Sequence, residues 1–230
     1  AQDGKRTNLI GPQPVSMHLD ALLPENPYSI LKGYVVTEKA DGIRAQLLIN
    51  KDKIGYLITS RMNIIHTGLR FENISGIWLF DGEYITKNKN GDDIHLFMIF
   101  DVYHAADSGS EGTYPNHAYT YPWLSKKKKG ICRSSIIHDF KINANIIPID
   151  DTKEIIRIGY KTYLEGPKTL KQDKKDKTKY TNLNGMGKIS RKIWKAKDTY
   201  EYNIDGLIYL PMYLSVNAMN DGEILNKIGG

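Results

Sequence analysis

Glu38-Lys39-Ala40-Asp41-Gly42-Ile43-Arg44 is the stretch on which the reading of this chain turns. It joins two strand-like runs, residues 34–39 and 43–49. The lysine ends the first run, Asp41-Gly42 makes a tight turn, and Arg44 starts the second. Gly42 is expected at positive φ, where a residue without Cβ meets no steric penalty and the chain can reverse sharply. Held between two rigid strands, the Lys39 amine sits at the mouth of a pocket. It can attack an electrophile once burial, a nearby cation or a bound metal lowers its pKa. Alone, the same pattern also describes an exposed hairpin lysine.

Working outward, residues 43–49 alternate, with Ile43, Ala45, Leu47 and Ile49 on one face. Residues 54–60 and 78–85 read as further strands. The dense apolar run 95–103 reads as a strand buried on both faces. Asn88, Asn90 and Gly91 mark a hairpin between the last two. Residues 202–210 return to strand texture. A short helix is expected near 19–23 and another over 189–198.

Acidic residues interrupt or end several of these strands. Asp81-Gly82-Glu83 follows Phe80, Asp101 follows Phe97-Met98-Ile99-Phe100, and Asp205 opens Asp205-Gly206-Leu207-Ile208-Tyr209-Leu210-Pro211. A carboxylate in such a place is costly to bury without a cation or a hydrogen-bond donor. Glu83, Asp101 and Asp205 together can bind a divalent metal and ribose hydroxyls, and hard oxygen ligands suit magnesium or manganese. Singly, each acid also reads as a turn residue at a strand end.

The order of these motifs resembles the covalent nucleotidyltransferase superfamily of mRNA capping enzymes and ATP-dependent DNA and RNA ligases. Lys39–Arg44 is similar to its first motif, Lys–x–Asp–Gly–x–Arg, Asp81-Gly82-Glu83 to its third, Phe97–Asp101 to the strand motif after it, and Asp205–Ile208 to its fourth. The resemblance spans about residues 34–211. Within the superfamily the Lys-Ala-Asp-Gly form and the Asp-Gly-Leu-Ile-aromatic-x-Pro form look like capping enzymes, since ligases usually carry Glu-Gly at the fourth motif. Ser60-Arg61-Met62-Asn63 resembles a capping-enzyme Asp-Arg-x-Asn segment, with Ser in place of Asp. Residues 38–44 and the long lysine-rich insertion look most like capping enzymes of large cytoplasmic DNA viruses, such as the mimivirus and African swine fever virus groups.

The resemblance implies an α+β nucleotidyltransferase domain over residues 1–230, with antiparallel sheets around a nucleotide cleft and an insertion-rich, lysine-rich region at 105–200. It implies an mRNA guanylyltransferase. Lys39 would take GMP from GTP, with magnesium or manganese as cofactor, and pass it to the diphosphate 5′ end of RNA. Glu38, Arg44, Arg61, Glu83 and Phe100 would bind the nucleotide: Arg44 and Glu83 at the ribose, Arg61 at the triphosphate, Phe100 stacked on guanine. Asp205 and Asp101 would hold the metal. An adenylylating ligase domain, or an inactive RNA-binding or docking domain, is the alternative.

The family's fifth motif, a lysine-rich strand, has no convincing copy; Asn226-Lys227-Ile228-Gly229-Gly230 is a poor match. The sixth motif and its C-terminal OB-fold are absent as well. The chain therefore reads as a fragment of a longer enzyme, one fused to triphosphatase and methyltransferase domains.

Composition agrees with a globular domain. The chain has 230 residues, 40% hydrophobic and 25% charged, enough for a real core. It has no long apolar run, so no membrane partner is expected. Its single cysteine, Cys132, fits a reducing compartment such as cytoplasm, of a host cell or in a virion if viral. A net charge of +6 and a pI near 9.1 suit a polyanionic partner. Lys168, Lys171, Lys174, Lys175, Lys177 and Lys179 fall in a stretch without apolar periodicity. It reads as a solvated loop, or as an electrostatic guide for the RNA 5′ end.

Overall fold

β1 (Tyr34–Ala40) and β2 (Ile43–Ile49) are consecutive in sequence yet enter different sheets. In this computed structural model, which describes residues 9–105, 117–150 and 155–220, the Asp41-Gly42 turn is the crossover between sheets and not a hairpin. β3 (Ile54–Thr59), β4 (Ile64–Glu72), β5 (Trp78–Lys87), β6 (Asp93–Ala105), β7 (Asn145–Pro148) and β8 (Arg157–Tyr160) join β2 in a seven-stranded sheet ordered β7-β4-β3-β2-β5-β6-β8. β9 (Leu164–Glu165) and β10 (Ile204–Pro211) flank β1 in a three-stranded sheet ordered β10-β1-β9. Every pairing is antiparallel except β6 with β8, which run parallel. The seven-stranded sheet is therefore mixed where an antiparallel one was expected, because β8 returns along β6 in its own direction, while the three-stranded sheet is antiparallel as expected.

The alternation read from β2 holds on its inner face, where Ala45, Leu47 and Ile49 are fully buried, but Ile43 is half exposed at the strand's start. The inner face packs on the helix α1 (Arg133–Asn143) through Phe80, Phe97, Ile99, Ile136 and Phe140. The Phe80 and Phe140 rings lie 4.5 Å apart. Burying side chains of this size contributes roughly 1.5–3 kcal/mol each. A second helix, α2 (Gly185–Lys195), lays Met186, Ile189 and Ile193 on the outer face of the small sheet, against Val36, Leu207 and Tyr209.

The region 105–200 contributes more than insertions. It holds α1 and α2, and it supplies β7, β8 and β9, the edge strands at both ends of the large sheet and at one end of the small one. Neither β4 nor α1 carries a clear local signal in the sequence. In α1 only Ile136 and Phe140 are buried apolar residues, Ile142 is exposed, and Arg133 is fully buried, so no clean apolar stripe marks the helix. Its start is fixed locally, by the Ser135 hydroxyl accepting the Cys132 amide at 3.2 Å. The helix expected near 19–23 is a single 3-10 turn over Leu19–Leu22. No helix among the described residues is long and apolar enough to cross a membrane.

Candidate active site

Lys39 stands at the end of β1, where that strand meets β10. The register runs Lys39 opposite Gly206, then Ala40 opposite Ile204, so Asp205 is the extra residue of a β-bulge. A bulge re-aims the residue it adds, and here the Asp205 carboxylate reaches the lysine. Lys39 Nζ donates to both of its oxygens, at 2.7 and 2.6 Å. Both side chains remain about half exposed, which keeps their mutual attraction near 0–1 kcal/mol. The amine is thus placed without being locked. The turn behind it is tied to the same strand entry, since the Asp41 amide donates to the Asn203 carbonyl at 2.9 Å.

Gly42 does not take the positive φ expected of it; the glycines that do are elsewhere. Its role is room. A Cβ there would stand 2.8 Å from Glu83 Cγ and 2.8 Å from the Tyr84 carbonyl oxygen. The turn therefore lies directly on β5 and brings Glu83 under Lys39.

Arg44 and Glu83 are cross-strand neighbours on β2 and β5, yet the arginine bonds elsewhere. Arg44 Nη2 donates to Asp81 Oδ2 at 2.6 Å, and Nε to both Asp81 oxygens at 3.2 Å. Nη1 donates to the Pro12 carbonyl at 2.9 Å. Tyr103, the extra residue of a bulge in β6, adds a hydroxyl donating to Asp81 at 2.5 Å. The N-terminal segment closes this cluster: Gln46 Nε2 donates to the Ile10 carbonyl at 2.6 Å, and Gly11 packs on the Tyr103 ring. Glu83 is left half-buried without such a clamp. Burial pushes its carboxyl up to about 7, against the pull of Lys161, Lys39 and Arg44.

Phe100 is another bulged residue, inserted between Ile99, opposite Gly82, and Asp101, opposite Asp81. Its ring is partly exposed, with Lys161 Nζ 5.9 Å from its centre. Lys161 is a residue the sequence reading missed. Its side chain is almost fully buried, its ammonium donates to the Glu38 carbonyl at 2.9 Å, and it sits 3.7 Å from Glu38 Oε1. Burial lowers its pKa. Its signal in the sequence is a cation between Tyr160 and Tyr163, the counterpart of the acids that interrupt the strands. Glu38 is itself buried, its carboxylate accepting from Tyr202 at 2.9 Å and Thr37 at 2.7 Å. Phe100 and Lys161 also line a cavity of about 330 Å³ with Trp123, His138 and Glu165.

Two expected residues share no hydrogen bond with this cluster. Asp101 Oδ1 accepts from Arg133 Nε at 2.7 Å and from the Val102 amide at 2.8 Å, both inside the core. Arg133 also donates to the carbonyls of Tyr121 and Leu214. Asp101 is thus engaged in a buried ion pair linking β6 to α1. Arg61 is exposed in the β3–β4 turn, next to Met62 at φ 60°. Among the described residues no three His, Cys, Asp or Glu side chains converge as a metal cluster. Asp205 alone offers an accessible carboxylate beside the lysine, and one carboxylate plus substrate phosphates is a common magnesium arrangement.

A family model described as the mRNA capping enzyme catalytic domain matches residues 2–182. The chain belongs to the mRNA capping enzyme family. No curated protein matches it. The matched span of the capping-enzyme domain holds Lys39, Arg44, Glu83, Phe100 and Lys161. Asp205 falls beyond that span, and it joins the site only because β10 pairs with β1. Residues 226–230, where a fifth motif was sought, lie outside the described residues.

Proposed function

We propose that this domain is a GTP:RNA guanylyltransferase working through a covalent lysyl-GMP intermediate. The Lys39–Asp205 pair carries the reading: a half-exposed amine, presented at the junction of two sheets, with a carboxylate on its nitrogen, Glu83 and Lys161 within reach of its charge, and Phe100 beside Lys161. In the first step the neutral Lys39 amine forms a bond from Nζ to the α-phosphorus of GTP and gives up one N–H proton to solvent. The bond from that phosphorus to the β-phosphate oxygen breaks, and pyrophosphate leaves with its electron pair. In the second step a terminal phosphate oxygen of diphosphate-ended RNA bonds to the same phosphorus. The N–P bond breaks and the amine regains a proton. Storing GMP on lysine divides one transfer between two polyanions into two simpler ones.

Phe100 gives a ring face for guanine. Glu83, near neutrality in its titration, hydrogen-bonds the ribose hydroxyls beside Arg44, which Asp81 holds fixed. Lys161 and Arg61 supply positive charge to the phosphates, and Glu38 acts through Lys161. Asp205 would hold magnesium or manganese, which would neutralise charge on the phosphates during transfer.

The test is incubation with GTP and magnesium, followed by intact mass and peptide mapping. A mass increase of one GMP located on Lys39, absent with ATP, is the expected result. Label from ATP alone would make the domain an adenylyltransferase.

A further inference from the structure

The helix α2 turns a second face to solvent. Its apolar residues Met186, Ile189 and Ile193 are spent on the small sheet. Opposite them stand Lys188, Arg191, Lys192 and Lys195, all exposed. Their spacings of three and four put them on one stripe, about 10 Å long at the helical rise. Residues 185–197 contain no acid. None of the four cations forms an ion pair among the described residues, whereas Lys53, Lys87, Arg157, Lys168 and Lys179 each do. Like charges at these spacings repel one another, so the stripe is a concentrated, uncompensated positive field.

Trp194 borders the stripe with 44% of its surface exposed, and Lys197 Nζ lies 5.2 Å from its ring. The other tryptophans, Trp78 and Trp123, are buried. From the end of α2 the chain runs through a 3-10 turn at Lys197–Thr199 to Asn203, which holds Asp41, and then to Asp205 at Lys39. The last cation of the stripe, Lys195, thus precedes Asp205 by ten residues in the chain. The lysines of 168–179 differ: Asp173 and Asp176 lie among them, Asp176 pairs with Lys179, and both acids accept backbone amides. That stretch is partly self-neutralised.

We propose that the outer face of α2 binds single-stranded RNA, with Lys188, Arg191, Lys192 and Lys195 on consecutive phosphates and Trp194 stacked on a base. Cations alone would suit any polyanion. The exposed indole at the edge of the stripe favours one that also offers unpaired aromatic faces. The proposal rests on the guanylyltransferase reading for the identity of its ligand as the acceptor RNA.

The experiment is a salt titration of binding to a 5′-diphosphate single-stranded RNA oligonucleotide, beside GTP labelling of the same proteins. With Lys188, Arg191, Lys192 and Lys195 all changed to Gln, the slope of log affinity against log salt should flatten by about three, at about 0.7 per released charge. GTP labelling should be unchanged. RNA should quench Trp194 fluorescence, and Trp194→Leu should remove that quenching and weaken binding severalfold. If the fourfold variant fails to fold, the pairs K188Q/K192Q and R191Q/K195Q should each give about half the slope change. Unaltered RNA affinity and slope in the variants would overturn the proposal, as would variant-sensitive binding to phosphatidylserine vesicles with RNA binding intact. RNA binding through α2 by a protein that takes no GMP would instead sink the guanylyltransferase reading and leave the surface standing.

Discussion

Lys39 and Asp205 meet across the β1–β10 seam, with the lysine nitrogen 2.6 and 2.7 Å from the two carboxylate oxygens. The contact depends on one residue of slippage in the strand pairing. Without the bulge at Asp205 the carboxylate would not be inserted between the partners of Lys39 and Ala40.

Lys39→Arg should abolish GMP uptake while leaving the melting temperature within a degree or two. Arginine keeps the charge and the pairing with Asp205 but does not deprotonate near neutral pH. Radiolabel from GTP persisting on this variant would exclude Lys39 as the nucleophile. Asp205→Asn should cut labelling by on the order of a hundredfold, with partial recovery at higher magnesium.

Asp101→Asn separates a structural from a catalytic role. The Asp101–Arg133 pair is buried, so losing one charge strands the other and should cost about 3–5 kcal/mol. Urea unfolding measures this directly. Protein that still folds should keep its magnesium dependence for GMP uptake. An altered magnesium requirement with unchanged stability would return Asp101 to the metal.

Glu83 links the site to pH. Its carboxyl titrates at about 7 in the folded chain, chiefly through burial, against an ordinary value of 4.5. The folded state therefore holds the proton that the unfolded state releases. The stability tied to this proton is complete below pH 4.5 and is lost as pH rises through 7. Glu83→Gln should remove that loss, leaving the variant more stable than the parent at pH 8 by on the order of 3 kcal/mol. Its GMP uptake should fall sharply. Chemical denaturation at pH 5 and pH 8 gives the comparison; equal gaps at both would refute the shifted titration.

Gly42→Ala should slow labelling and destabilise the fold by about 1–3 kcal/mol, through overpacking against β5. The new methyl would press on Glu83 Cγ and the Tyr84 carbonyl. Because φ at Gly42 is not positive, a small-side-chain rescue should come from trimming Glu83. A double variant with Glu83→Ala that recovers stability would show that contact to be the source.

The sequence by itself determined the strands that carry the site and the order of their reactive residues. Alternation in 43–49, apolar density in 95–103 and acids breaking apolar runs are local signals, legible because side chains in a strand repeat every two residues. The resemblance to the family rests on the order of the motifs those strands carry. Tertiary structure decided which charge meets which. Arg44 bonds Asp81 and not its neighbour Glu83, Asp101 is claimed by Arg133, and Lys161 arrives beneath Glu38 from the connection just after β8, a strand the sequence did not announce. Asp205, Phe100 and Tyr103 each reach their places as bulged residues. A bulge is a property of two paired strands and has no signature in either one alone. That is why the chemistry of the site was readable from the chain, while its wiring was settled only by the pairing of segments far apart in sequence.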